Sequence, residues 1–283
     1  MFEKIRRLRA RAQLEAVFGA AEPPTFPALT TRILEVLRRR DASIDEVAEA
    51  LRWDPALTVK LLATVNSAAY APCKPIEDVR HAANYMGRTQ LEALVIAVAC
   101  RAALPAEPGR AFDPRRFWLT AAQRAGLARA IAERLHPGRA SEAFTAALLL
   151  DLAVPVLSKQ LGDRYGDALE AWHGGDARDL ESLEAEICGR THTSVGLSLA
   201  ELWGLPPAVS ANIGAHHRVG ANDQEILPAI RLVAPVREVP GEDEAERLIE
   251  SARAEYGLEP DWTVAQIAAS REAAVDLSER LAS

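Results

Sequence analysis

Apolar side chains recur at three- and four-residue intervals along most of the chain, whereas the two-residue alternation of strands hardly appears. Such spacing gathers the apolar residues on one face of a helix, so it predicts an all-α protein. No internal repeat or low-complexity tract interrupts the pattern. The pattern predicts helices that begin near residues 27, 44, 55 and 90, then helices over 114–135, 141–152, 179–188, 192–203, 206–215, 225–236 and 242–256, and a last helix that begins after 261 or 263 and runs toward 281.

Helix-start signals mark several of these elements. Ser43 precedes Glu46 with capping-box spacing, in which the two side chains satisfy the first free amides of a helix. Asp54 is a preferred N-cap residue, and Pro55 then occupies the first helical position, where the missing amide costs nothing. We therefore predict a short helix after Ser43 and a second helix after Asp54.

The segment 105–114 holds three prolines and a glycine, a composition that interrupts helices and often joins two packed units. We predict a two-lobed molecule divided there. Its parts are a basic N-terminal helix over 1–22, a first helical lobe over 23–104, a second lobe over 113–236 and a helical extension over 237–283.

Composition narrows the class of protein. The 283 residues are 49% hydrophobic and 26% charged, which is enough apolar material for a full core. Three cysteines without CxxC spacing exclude a disulfide framework and a thiolate metal site, and they favour the cytoplasm. The N-terminus lacks the apolar core of a signal peptide, and the apolar run over 91–100 is too short for a transmembrane segment. The net charge of -7 weighs against nonspecific binding to nucleic acid.

The helix pair over 43–67 has the lengths of a DNA-reading helix-turn-helix. Base edges are read mainly by arginine, lysine, asparagine or glutamine, and the first turns of the second helix offer only Thr58 and Lys60. The preceding helix is acidic, which would repel phosphates. We therefore expect no specific DNA binding and assign the pair to packing.

The first helix is basic and amphipathic, and two interpretations remain open. Its cations could form an interaction surface for an acidic partner, a membrane or nucleic acid, or a dimer contact. Alternatively, its apolar stripe packs on the body and the charges face water, which we prefer because any surface helix has such a stripe. The residues of this candidate surface are Lys4, Arg6, Arg7, Arg9 and Arg11.

Several short motifs, taken in order, resemble the HDOD domain of bacterial signalling proteins over about residues 23–235. They are Ile44-Asp-Glu-Val-Ala48, Asp54-Pro-Ala-Leu-Thr58, Asn66-Ser67, Met86-Gly87, Phe117-Trp118, His192, Trp203 and His216-His217. The resemblance implies an all-helical fold in which an N-terminal helical lobe is joined to a bundle like that of HD-type metal phosphohydrolases. Within these motifs we assign structural roles to Asp54, Pro55, Asn66, Ser67 and Trp203. Asn66 and Ser67 are expected to fasten the end of their helix by bonding to nearby backbone.

The resemblance to HD enzymes also permits a test of chemistry. Those enzymes hold metal ions with a histidine, a His-Asp pair, further histidines and a late aspartate. Mapped onto this chain, Thr120 takes the place of the first histidine and Leu150 takes that of the pair's histidine, while the late aspartate falls near Ala234. The possible ligands that remain are Asp151, His192, His216 and His217.

This incomplete set leads us to expect a degenerate site with no metal, no cofactor and no catalysis. Pro155 adds to that expectation, because a proline could kink the helix that presents Asp151. His192 is then a packing histidine bonded to a neighbouring group, and His216 and His217 stabilise a helix C-terminus. The alternative is a single ion on the four remaining ligands, since three protein groups and a water suffice for catalytic zinc.

From the resemblance we expect a noncatalytic, cytoplasmic regulatory module that binds a signalling protein in trans or a small nucleotide effector, with a homodimer left open. One alternative is a metal-dependent phosphohydrolase of nucleotides or cyclic dinucleotides. The other is an effector protein that binds a cyclic dinucleotide without hydrolysing it. Metal analysis separates the first alternative from the noncatalytic module.

Overall fold

The computed structural model describes residues 2–19, 22–39, 41–68, 70, 72–105, 109, 111–173, 178–218, 226–236 and 242–282. These described residues form α-helices and one 3-10 turn, with no strand among them, which confirms the all-α prediction. The first helices are α1 (Phe2–Phe18), α2 (Ala28–Arg38), α3 (Ile44–Arg52), α4 (Pro55–Val65) and α5 (Val79–Ala103). There follow α6 (Pro114–Leu135), the 3-10 turn Pro137–Arg139, α7 (Ala140–Leu148), α8 (Ala153–Leu161), α9 (Asp163–His173), α10 (Leu180–Cys188), α11 (His192–Leu202), α12 (Pro207–Ala215), α13 (Pro228–Val233), α14 (Glu242–Tyr256) and α15 (Pro260–Ala282).

The predicted helix starts at Ser43 and Asp54 are confirmed in atomic detail. Ser43 Oγ accepts a hydrogen bond from the Glu46 amide at 3.1 Å, and the Glu46 carboxylate accepts one from the Ser43 amide at 2.7 Å. Asp54 Oδ1 accepts from the Leu57 amide at 3.0 Å, with Pro55 as the first residue of α4. Both starts therefore rest on local side-chain chemistry that the sequence displays directly.

The prediction is wrong on either side of Asp151. A helix over 141–152 is predicted, but α7 ends at Leu148, a turn follows, and α8 begins at Ala153. Neither α8 nor α9 is predicted. Because residues 146–150 are all apolar and Leu152 is buried as well, periodicity alone could not reveal the break. The predicted helix over 225–236 shortens to α13, and its first residue lies outside the described residues.

The chain forms two compact units, each drawn from three segments. Unit 1 comprises Met1–Thr25, Ala102–Pro114 and Leu149–Ile226, and unit 2 comprises Phe26–Arg101, Arg115–Leu148 and Leu227–Ser283. The sequence-based division over 105–114 instead separates the chain at a single point. The difference arises because α6 and α7 follow that division in sequence yet pack with the earlier helices.

In unit 1, α1 packs on α11 as the preferred interpretation of the first helix anticipated. Leu14 and Phe18 are buried, and Ser198 Oγ of α11 donates a hydrogen bond to Gln13 Oε1 at 2.9 Å. Ile5 and Leu8 of the same helix are exposed. Of the candidate cations, the side chain of Lys4 lies outside the described residues, Arg7 is half-buried, and the exposed ones are Arg6, Arg9 and Arg11.

Trp203 anchors the same unit, as a core role requires. Its side chain is buried, and its indole Nε1 donates a hydrogen bond to the carbonyl of Pro24 at 2.8 Å. The chain segment that follows α1 is thereby tied to the end of α11.

In unit 2, Asn66 fastens the loop that follows α4. Its Oδ1 accepts from the Ile76 amide at 2.8 Å, and its Nδ2 donates to the carbonyls of Ile76 at 2.8 Å and Leu62 at 2.9 Å. Ser67 beside it is fully buried. The side-chain amide of Asn66 thus exchanges two hydrogen bonds with the Ile76 backbone, as neighbouring strands do. This arrangement agrees with the predicted structural role of Asn66.

One stretch, Pro137–Leu161, is long and apolar enough to cross a membrane by length and composition. The sequence prediction of no transmembrane segment overlooked this stretch, having considered only residues 91–100. In the structure 83% of its apolar window is buried and the stretch is divided among the 3-10 turn, α7 and α8. Burial of these side chains accounts for the apolar composition of the stretch.

Candidate functional site

Four possible metal ligands converge in unit 1, from three places in the chain. Asp151 lies in the turn before α8, His192 is the first residue of α11, and His216 and His217 follow the end of α12. One ligand atom from each of the four lies within 4.8 Å of the ligand atoms of the others. Asp151 Oδ1 is 3.3 Å from His216 Nε2 and 3.6 Å from His192 Nε2. The residues that the sequence singled out therefore form one cluster.

The ring of His192 is held in place by a buried carboxylate. Glu184 of α10 is fully buried, and its Oε2 lies 2.8 Å from His192 Nδ1 and accepts from the His192 amide at 2.6 Å. Tyr165 of α9 donates its hydroxyl to Glu184 Oε1 at 2.5 Å. This chain of bonds directs the opposite nitrogen of His192, Nε2, toward Asp151.

His216 is oriented by its own helix. Its Nδ1 lies 2.8 Å from the Ile213 carbonyl oxygen, which can only accept, so Nδ1 carries a proton. In the neutral ring Nε2 is then an unprotonated acceptor. The Nε2 atoms of both His192 and His216 are buried and make no hydrogen bond in the structure. Buried polar atoms without partners are rare, and here they point at one carboxylate.

Electrostatics make this cluster attractive to a cation. Burial lowers the pKa of His192, but the nearby charges of Glu184 and Asp151 and the Glu184 hydrogen bond outweigh it and raise that pKa to about 9. Burial, together with Glu184, also raises the pKa of Tyr165 well above its ordinary value. The direction of the His192 pKa shift means that the surrounding carboxylates favour positive charge at this point. A bound metal ion would replace the ring proton of His192.

The donor set fits one transition-metal ion. Imidazole and carboxylate ligands suit zinc, iron or manganese, and metal-ligating histidines usually donate their other ring N–H to a carboxylate or a backbone carbonyl. Both arrangements are present, at Glu184 and at Ile213. The prediction of His192 as a packing histidine bonded to a neighbouring group corresponds to its contact with Glu184. The prediction of His216 at a helix C-terminus corresponds to its contact with the Ile213 carbonyl. Those contacts orient each ring for ligation.

The other positions of the HD comparison are Leu150, Thr120 and Ala234. Leu150 is fully buried and offers no donor. Thr120 and Ala234 belong to unit 2, whereas the cluster belongs to unit 1. The expectation that Pro155 kinks the helix presenting Asp151 is wrong, because Asp151 precedes α8 and Pro155 is in the first turn of that helix. Proline is tolerated in a first turn.

Sequence reasoning missed Glu184 and Tyr165. A signal was available for Glu184, since it falls on the apolar stripe of α10 with Leu180, Leu183 and Ile187. A carboxylate on such a stripe, eight residues before a histidine, indicates a buried and paired charge. No comparable sequence signal distinguishes Tyr165 from an ordinary core tyrosine.

Comparisons with known proteins agree with this fold. A proposed phosphohydrolase from Shewanella amazonensis SB2B superposes with a TM-score of 0.74 at 22% identity, covering 98% of each chain. An HDOD domain protein of unknown function from Geobacter sulfurreducens gives 0.71 at 23% identity, over 97% of this chain and 98% of its own. These superpositions show that the fold is shared.

A curated relative, an uncharacterized protein of Treponema pallidum, is 24% identical over 218 residues. The match covers 74% of this chain, which spans only 41% of that protein's length. The model of the HDOD domain matches residues 24–219, well over half of the sequence. The chain therefore belongs to the HDOD family.

Proposed function

We propose that this HDOD protein is a noncatalytic signal-transduction module that acts in the cytoplasm by binding a partner protein or a small effector. The observation that carries the proposal is the number of protein donors in the cluster, together with the burial of His192 and His216. Asp151, His192 and the two histidines after α12 provide four protein ligands. Four protein ligands are typical of structural zinc sites, whereas catalytic sites keep a position open for water.

Burial of His192 and His216 supports a structural role. The side chains of His192 and His216 are 1% and 0% exposed, and that of Asp151 is 20% exposed. Many phosphoester hydrolases use a pair of metal ions. Leu150 provides no ligand that would help to hold a second ion here. An ion held by this set would stabilise the fold of unit 1.

Purification of the protein with its bound molecules from the native host tests whether it binds a partner protein or a small effector. Tagged protein is purified gently and examined for bound proteins by mass spectrometry and for bound nucleotides by chromatography, beside an unrelated tagged protein. We expect a reproducible protein partner or a stoichiometric small molecule. The proposal is contradicted if neither is enriched over the unrelated bait.

The rival function is a metal-dependent phosphohydrolase with a reduced ligand set, and the exposure of His217 favours it. If His217 leaves the cluster, Asp151, His192 and His216 remain as three ligands, and the 20% exposure of Asp151 opens the site to solvent. When bound there, a metal ion would supply Lewis acidity for phosphoester hydrolysis. The residues would hold the ion, and Glu184 would keep His192 in position. This rival predicts hydrolysis of nucleotides or cyclic dinucleotides that disappears in Asp151→Asn and persists in the exposed-site control Asp261→Asn.

A further inference from the structure

An apolar groove of about 430 Å³ lies between α14 and α15 in unit 2. Ala245 and Ile249 of α14 face Ile267 and Ala268 of α15 across it. The groove also includes two valines of α15 that are far more exposed than core residues, Val264 at 51% and Val275 at 50%. Scattered surface apolar residues are ordinary, but a contiguous apolar groove with exposed valines is a mark of a docking surface.

The groove residues of α15 have the spacing of a helix–helix contact. Val264, Ala268, Arg271 and Val275 follow one another at intervals of four, three and four residues. This heptad-like spacing places them on one narrow stripe of the helix. The other side of α15 already packs inward through Thr263, Ala274 and Leu277, which are buried. The stripe is therefore a second face, suited to another helix.

The charged residues of the groove and the symmetry of the α15 stripe indicate which molecule binds there. Arg271 and Glu272 both line the groove. If two copies of α15 pair antiparallel about a point midway between residues 269 and 270, Val264 meets the partner's Val275 at both ends. Near the middle, each Arg271 then lies about one turn from the partner's Glu272, within reach of its long side chain. A parallel pairing would instead set like charges against each other, which is unfavourable.

We infer that a second copy of this chain docks on the groove, so that the protein forms a two-fold symmetric dimer through antiparallel α15 helices. A surface whose pattern is complementary to itself under a two-fold rotation is what an isologous dimer requires. The dimer is independent of the metal-ligand cluster in unit 1. Its success or failure therefore leaves the proposed function untouched.

Sedimentation velocity of the full chain tests the dimer. We expect twice the monomer mass at micromolar concentration, and about a hundredfold or greater weakening in Val275→Glu, which would bury a charge at each end of the contact. Val59→Glu on α4 is the matched control, since Val59 is 66% exposed and does not line the groove. Circular dichroism verifies that each variant folds. A wild-type chain that stays monomeric at about 100 µM, or dimers that persist equally in Val275→Glu, would overturn the inference.

Cross-linking and charge exchange test the register. In a Cys73→Ser background, which removes the exposed native thiol, a mixture of Val264→Cys and Val275→Cys chains should form the disulfide between unlike chains. Each variant alone should not link to itself. Arg271→Glu should weaken the dimer, and the double change Arg271→Glu with Glu272→Arg should restore it. Self-linking of one variant, or no restoration by the double change, would refute the antiparallel register.

Discussion

Replacing Glu184 should disturb both the stability and the chemistry of the metal-ligand cluster. Its carboxylate is fully buried and accepts three contacts, from Tyr165 and from the backbone and ring of His192. Glu184→Ala leaves these buried groups unpaired beside a charged ring. Breaking a buried charge pair in this way costs about 3–5 kcal/mol of unfolding free energy.

Glu184→Gln separates charge from shape. The amide oxygen of the glutamine can still accept from the backbone N–H and the ring Nδ1 of His192, and its amide nitrogen can face the Tyr165 oxygen. Because the size and most contacts are kept, we expect a smaller loss of about 1–2 kcal/mol. The charge that raises the pKa of His192 is removed, so that pKa should fall from about 9 toward its ordinary value of 6.5.

The pH dependence follows from the raised pKa. In the metal-free protein the native state holds the His192 proton more tightly than the unfolded state does. The resulting stabilisation is complete below pH 6.5 and is lost as the pH rises through about 9. A shift of this size corresponds to about 3 kcal/mol across that window. The Glu184→Gln variant should lose most of this pH dependence.

The assay is urea denaturation of chelator-treated protein between pH 6 and pH 10, with a titration of the His192 ring by NMR. Glu186→Gln is the matched control, because Glu186 is exposed on the same helix. We expect the control to change the unfolding free energy by no more than about 0.5 kcal/mol. If Glu184→Gln matches the control in both stability and pH profile, the proposed role of the buried carboxylate is refuted.

Three further changes probe separate features. Asp151→Asn should weaken zinc binding, measured by calorimetry, by about a hundredfold or more, because it removes the carboxylate ligand; unchanged affinity would exclude it as a ligand. Asn66→Ala should lower the unfolding free energy by about 2–4 kcal/mol in a denaturant titration, since the Ile76 backbone loses both hydrogen bonds. Gly87→Ala should cost about 1–3 kcal/mol in the same titration from backbone strain alone, because Gly87 has φ 75° and ψ 166° and no atom lies within 4 Å of an added Cβ.

Local signals in the sequence predicted much of the fold. The helix starts at Ser43 and Asp54 depend on capping chemistry within a few residues. The turn at residues 149–152 was missed because its neighbours are buried on all sides, so polarity gives no boundary. The membership of α6 and α7 in unit 2 depends on contacts between segments distant in sequence.

The candidate site was predictable only in part. Asp151, His192, His216 and His217 were identified by resemblance, and their convergence agrees with it. The sequence did not reveal that Glu184 and Ile213 fix the two buried rings, since such contacts arise from the packing of α9, α10, α11 and α12. The prediction that no metal binds remains a prediction, and the geometry now favours a single four-ligand ion over an empty remnant.

Hydrolysis by the metal-loaded protein tests the noncatalytic proposal most directly. The protein is stripped with a chelator, loaded separately with zinc, manganese or iron, and incubated with a chromogenic phosphodiester and with cyclic dinucleotides. We predict a rate equal to that of Asp151→Asn under every metal, even where the wild type retains one ion per chain. Saturable, metal-dependent turnover that Asp151→Asn abolishes and Asp261→Asn preserves would contradict the account and identify the cluster as an active site.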